Sequence, residues 1–163
     1  MELLILRHAK AVPQGFENLP DEERPLAPEG TAHAESLGRR LLELHALPQR
    51  IYSSPLARAR DTVQSFLRGA RRSIEAEFPA VLRPGCTSKE IQEFLGWRAS
   101  RSERLMIVGH QPDLGQIIGA LIGGDRLAIH LPPGVLARVD LERPEVVWTG
   151  YLVWLWTAEM YGT

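Results

Sequence analysis

A chain of 163 residues, 44% of them hydrophobic and 24% charged, is long enough to bury one sizeable core and short for two, so a single domain over residues 1–163 is expected. Its 19 basic and 20 acidic residues leave a formal net charge of -1, which excludes a global field drawing the protein to nucleic acid or an anionic membrane. No apolar run approaches the roughly 18 residues of a spanning helix, and a lone cysteine, Cys86, excludes intramolecular disulfides and cysteine-based zinc sites.

The N-terminus enters MELLILRH without a basic region or cleavage site, from which a cytoplasmic protein is expected. Leu3 to Leu6 is a short apolar run ending at the charged Arg7 and predicts a strand buried on both faces. From Ala11 to Pro28 the chain carries Pro13, Gly15, Pro20, Pro25 and Pro28 among charges, which predicts a long surface loop of the kind that often serves function. Ala34, Leu37, Leu41, Leu44 and Leu47 recur at helical spacing and predict an amphipathic helix over Glu29 to Leu47, stopped by Pro48.

Arg50 to Ser53 predicts a second strand, and Ser54-Pro55 a helix start, with the hydroxyl as N-cap, proline at the first helical position and the helix running to Leu67. Ser73 to Leu82 is a less regular strand candidate. Thr87 to Trp97 predicts a helix capped by Thr87 or Ser88, followed by a charged turn over Arg98 to Arg104. Leu105 to Val108 is another buried strand, and Gln111 to Ile122 an apolar helix closed by Gly123-Gly124.

Val135 to Leu141 and Val146 to Leu155 predict a terminal hairpin turning at Glu142-Arg143-Pro144. Alternating strands and helices followed by that hairpin predict an α/β fold: a three-layer αβα sandwich around a mostly parallel sheet, extended by the C-terminal antiparallel hairpin.

Two histidines close buried strands in the same way, His8 after LLILR and His110 after LMIVG. In open α/β sheets ligands bind beyond the carboxyl ends of the strands, so both imidazoles reach the functional edge, and Arg58 arrives there in the first turn after the second strand. Arg7 precedes His8, and a turn at the strand end would bring both to one ligand. Arginine forks suit a phosphoryl group because they donate two hydrogen bonds and stay charged. Arg7, His8, Arg58, His110 and a helix N-terminus together therefore predict a phosphate site, with no metal and no cofactor.

His33, His45 and His130 lack that context and read as ordinary histidines. Trp148, Trp154 and Trp156 share one strand and one parity, which favours core or sheet packing over a stacking platform.

Arg7-His8-Ala9 resembles the Arg-His-Gly signature of the histidine phosphatase superfamily, whose fold is shared with phosphoglycerate mutase. The run from Ser53 to Thr62 is similar to that family's second arginine segment, and Val108-Gly109-His110 to its second histidine. Arg24-Pro25-Leu26 followed by Glu29-Gly30 resembles the SixA-type branch, whose members act on phosphohistidine proteins.

The resemblance implies His8 as nucleophile, Arg7 and Arg58 as phosphate ligands and His110 as a further ligand and charge stabiliser. It implies as partner a phosphohistidine-bearing phosphotransfer protein, with a small phosphate ester as the alternative within the superfamily; the reading from another class is a non-catalytic phosphate- or phosphoprotein-binding module, which would use the same arginine fork without a phospho-His8 intermediate. The chain departs from the family twice. Ala9 replaces the glycine, and Leu82-Arg83-Pro84-Gly85 lacks the carboxyl that larger members carry after the third strand. Glu90, Glu17 and Asp21 are the remaining candidates for a general acid. The roles of Lys10, Gln14 and Arg24 stay open.

Overall fold

The computed structural model describes residues 1–99, 104–124, 127, 129–142 and 148–161. Within them the chain forms β1 (Glu2–Arg7), α1 (Pro28–Glu43), β2 (Arg50–Ser53), α2 (Ala57–Ala70), β3 (Glu75–Glu77), α3 (Ser88–Ala99), β4 (Arg104–Gly109), α4 (Asp113–Ile122), β5 (Leu136–Glu142), β6 (Thr149–Trp156) and α5 (Ala158–Tyr161). The six strands make one sheet in the order β3-β2-β4-β1-β5-β6. β1 to β4 run parallel, β5 joins β1 antiparallel, and β6 pairs antiparallel with β5. This is the predicted α/β sandwich with its hairpin extension.

The sheet's strand order explains which face each helix covers. The chain steps outward from β1 to β2 to β3 through α1 and α2, then returns to β4 through α3. A right-handed crossover that reverses direction must pass over the opposite face. Accordingly Leu37, Leu41, Val63 and Phe66 of α1 and α2 pack on Leu4 and Leu6 of β1, while Ile91 and Leu95 of α3 and Ile117 and Ile118 of α4 pack on Leu3 and Ile5. Alternate residues of β1 thus fill two separate cores, as its unbroken apolar run requires.

Several boundaries differ from the sequence expectation. α1 ends at Glu43 rather than Leu47, because His45 adopts a left-handed conformation (φ 52°) and the Ala46 amide turns back to Leu41. Pro48 is therefore not its stop. The third strand shrinks to Glu75–Glu77, followed by a single 3-10 turn over Ala80–Leu82. Thr87 and Glu90 cap α3 reciprocally, the Thr87 amide donating to the Glu90 carboxylate and the Glu90 amide to the Thr87 hydroxyl. α5 carries no sequence signal beyond its buried Ala158 and Tyr161, and the Tyr161 hydroxyl donates to the Gly134 carbonyl. The turns expected near 98–104 and 142–144 lie partly, and the start of the last strand at Val146 wholly, outside the described residues.

The tryptophans correct the parity argument. Val139 faces Leu152 across the hairpin but Arg138 faces Trp154, so Val153 is an extra residue. Such a bulge moves every later side chain to the other face. Trp148 consequently packs against the α3 and α4 core, whereas Trp154 and Trp156 stack on each other at 4.4 Å beside the α1 and α2 core.

Candidate active site

β1 and β4 are neighbours, with Arg7 opposite Gly109, so the residues that follow them emerge side by side. The His8 amide donates to the Gly109 carbonyl at 3.0 Å, and the His8 and His110 rings lie 5.1 Å apart. Just beyond His8 the backbone is tied to α2. The Ala9 amide donates to the Thr62 hydroxyl at 3.0 Å, and that hydroxyl donates to the Arg58 carbonyl one helical turn earlier at 2.7 Å. Thr62 thereby couples the His8 turn to the helix that carries Arg58.

Ala9 does not adopt a positive φ, so the methyl that replaces glycine's hydrogen introduces no backbone strain. It is buried against Leu26 and Ala34, where the long loop returns to α1.

His8 is buried, and its Nδ1 lies 2.8 Å from the Ala9 carbonyl oxygen. A carbonyl only accepts, so Nδ1 carries the proton and Nε2 keeps its lone pair. Burial lowers the His8 pKa to about 4, with the charges of Arg58, Arg7 and Arg24 acting in the same direction and the Ala9 hydrogen bond opposing them. The ring is neutral at pH 7. Burial, then His8, Arg58 and Arg7, lowers His110 to about 3.

Arg7 donates through Nη1 to the Leu131 carbonyl at 2.6 Å. Arg58, also buried, donates to the Asp21 carbonyl at 2.7 Å and meets the Asp21 carboxylate at 3.2 Å. Yet among the described residues Arg7 Nε, Arg58 Nε, His110 Nδ1 and the adjoining Gln111 Oε1 are buried without a hydrogen-bond partner. Orphaned buried polar atoms are costly, on the order of 1–3 kcal/mol each. They gather where all four sequence-predicted residues come together.

The proline-rich loop contributes what the sequence left open. Arg24 holds the Asp21 carboxylate through Nε at 2.9 Å and Nη2 at 2.8 Å, and reaches the Val12 carbonyl at 2.7 Å. Partial desolvation alone would raise the Asp21 carboxyl, but hydrogen bonds and charge from Arg24 and Arg58 outweigh it and hold the group below its usual range. Lys10 instead pairs with Glu29 at 2.5 Å, and Gln14 is exposed. With both histidines neutral, three guanidinium groups and one ionised carboxylate leave two net positive charges, a match for a dianionic phosphoryl group.

The other acid candidates are held elsewhere. Glu90 caps α3, its carboxyl lowered by the Thr87 backbone and side chain. Glu17 sits in an exposed 3-10 turn of the loop with φ 48°. Among the described residues no cluster of three or more His, Cys, Asp or Glu side chains could hold a metal ion, and no helix is long and apolar enough to cross a membrane.

The sequence profile of the histidine phosphatase superfamily (branch 1) matches residues 3–82, which hold Arg7, His8 and Arg58. An uncharacterized protein of Picosynechococcus sp. is 30% identical over 124 residues, spanning 76% of this chain and 74% of that one. The protein histidine phosphatase SixA, solved with tungstate, superposes with a TM-score of 0.86 at 20% identity, covering 98% of this chain and 99% of that one. The SixA protein of Agrobacterium tumefaciens gives 0.79 at 25% identity, over 96% and 97% of the two chains.

Proposed function

Because the chain belongs to the histidine phosphatase superfamily and has the fold of its SixA-type members, we propose that it removes phosphate from phosphohistidine on a partner protein through a phospho-His8 intermediate. The neutral His8 Nε2 attacks phosphorus in line with the departing nitrogen. As the N–P bond forms, positive charge grows on the ring, and the Ala9 carbonyl that accepts from Nδ1–H stabilises it. Arg7, Arg58 and His110 offer their unfilled donors to the equatorial oxygens. Water then cleaves phospho-His8, releasing inorganic phosphate and restoring the free imidazole. Such catalysis rests on positioning and preorganised charge more than on proton transfer.

The observation that carries the choice of substrate is the disposition of the carboxylates. Asp21 is ionised between Arg24 and Arg58, Glu22 pairs with Arg83 at 2.9 Å, and Glu90 is a helix cap. An alkoxide leaving group requires a general acid. A phosphoimidazole protonated on its second nitrogen leaves as neutral imidazole and needs none from the enzyme. The SixA likeness supports the same reading, since that relative is a protein histidine phosphatase.

The test is phosphate release from a phosphohistidine-bearing phosphotransfer protein, beside an aryl phosphate and a panel of sugar phosphates, with His8→Ala as control. Preferential release that drops at least a thousandfold in His8→Ala, about 4 kcal/mol of barrier, is expected. Faster turnover of a sugar phosphate would replace this reading with a metabolite phosphatase. No turnover with intact phosphate binding would replace it with a binding module.

A further inference from the structure

Ser54 is expected from sequence to cap α2, and it does not. The residue preceding the helix is Leu56, which makes no side-chain cap, and the Ser54 hydroxyl points into the site. Ser54 is fully buried directly after β2, and its amide donates to the Val108 carbonyl at 2.9 Å, so it is fixed between β2 and β4. Its Oγ receives the Leu56 amide at 3.3 Å and lies 2.8 Å from His110 Nε2.

This geometry has two proton arrangements. With the His110 proton on Nε2, Ser54 Oγ accepts from two N–H groups. Its own hydroxyl proton then has no acceptor among the described residues. His110 Nδ1, buried and unpartnered, would also present a lone pair toward the oxygens of any bound phosphoryl group, which is repulsive. With the proton on Nδ1, the Leu56 amide donates to Ser54, Ser54 donates to Nε2, and Nδ1–H remains as an unfilled donor in a ring that feels the charges of Arg58 and Arg7, whose Nε groups are unfilled too. Both protons of the Ser54–His110 pair then have a defined place, and the buried donors left unfilled among the described residues, Arg7 Nε, Arg58 Nε and His110 Nδ1, are ones a tetrahedral oxyanion would complete.

We propose that Ser54 is a positioning residue that fixes His110 as its Nδ1–H tautomer, so that an uncharged imidazole donates to a phosphoryl oxygen; the last step rests on the phosphatase reading above. Burial and the neighbouring cations keep the ring from carrying both protons at neutral pH, so the choice of tautomer decides whether it helps or hinders. A serine at this place does for His110 what the Ala9 carbonyl does for His8, with opposite outcome. His8 is held as an acceptor at its free nitrogen, and His110 as a donor.

Long-range proton–nitrogen correlation spectra of the free, isotope-labelled protein read the tautomer directly, and tungstate titration reads the donor. Wild type is expected to show a protonated Nδ1 and a bare Nε2 on His110. Ser54→Ala is expected to mix the two tautomers and to weaken tungstate binding about tenfold, while Ser54→Thr, which keeps the hydroxyl, holds both near wild type. A protonated Nε2 in the wild type overturns the proposal without any variant. So does Ser54→Ala with unchanged tautomer and unchanged tungstate affinity. Failure to dephosphorylate phosphohistidine alongside an Nδ1–H ring and Ser54-dependent tungstate binding supports it, while removing the substrate reading alone.

Discussion

Asp21 grips Arg58 twice, through its main-chain carbonyl at 2.7 Å and its carboxylate at 3.2 Å, and the same carboxylate holds Arg24. Two like-charged guanidinium groups are thus bridged by one anion, and the loop that carries Asp21 is tied to the helix that carries Arg58. Removing the carboxylate leaves both arginines repelling each other and free to leave the pocket. Asp21→Ala is expected to lower kcat/KM and tungstate affinity about tenfold each, with Asp21→Asn, which still accepts from Arg24, falling less. Tighter tungstate binding with undiminished turnover in Asp21→Ala would show that the carboxylate competes with phosphate instead of ordering its ligands.

The two buried histidines make stability depend on pH in a defined window. In the unfolded chain each protonates near 6.5, whereas in the folded chain His8 waits until about 4 and His110 until about 3. Between those values the unfolded state binds more protons, so stability is fully present above 6.5 and falls as pH drops. Each histidine contributes a slope of about 1.4 kcal/mol per pH unit. Urea denaturation of wild type and of His8→Gln from pH 7 to 4.5 checks this, the variant showing the shallower decline. The same neutrality predicts that in the free protein the His8 ring nitrogens keep the NMR shifts of a neutral imidazole from pH 7.5 to 5.5; an inflection near 6.5 would contradict a His8 held neutral by burial.

Gly30 sits in the first turn of α1, where a Cβ would lie 2.1 Å from the Lys10 carbonyl oxygen. That carbonyl also accepts from the Ala27 amide at 2.9 Å, which closes the loop onto the start of the helix. On an exposed helix Gly→Ala stabilises by about 1 kcal/mol. Here the added methyl must push backbone apart, and overpacking of that kind costs about 1–3 kcal/mol. Gly30→Ala is expected to lower the denaturation midpoint and, by displacing the loop that bears Asp21 and Arg24, turnover as well. A variant as stable as wild type would mean that the loop yields freely.

Sequence reasoning reaches the parts of this site that are fixed by periodic elements. Arg7, His8 and His110 end apolar strand runs, and Arg58 enters a helix after another, so period and topology alone bring them to one edge. Asp21 and Arg24 sit in a stretch whose prolines erase any period, and only the folded loop shows that they cross over to Arg58. Ser54 is legible as a polar residue before a helix. Whether its hydroxyl serves an amide of that helix or a ring on the next strand depends on where α2 begins, two residues later than Ser54-Pro55 suggests. The tryptophan stripe is misplaced by one bulged residue, Val153, which no alternation pattern reveals.

Cys86 tests how closed the segment after β3 is. Burial and the neighbouring Asp113 carboxylate raise its thiol from 9.0 to about 12, and the same carboxylate accepts the Gly85 amide at 2.8 Å. Asp113 opens α4 one turn beyond His110, so these contacts pin the segment following β3 to the helix behind the site. Only the thiolate is nucleophilic, and a thiol raised this far holds about a thousandfold less of it at pH 8 than an ordinary cysteine. Iodoacetamide at that pH should therefore leave Cys86 unmodified over a period that fully alkylates a free thiol, as followed by mass spectrometry. Asp113→Asn, by removing the adjacent charge and weakening the pin, should speed the reaction. Alkylation of the wild type at the rate of an exposed cysteine would show that the segment opens freely beside the helix that follows His110.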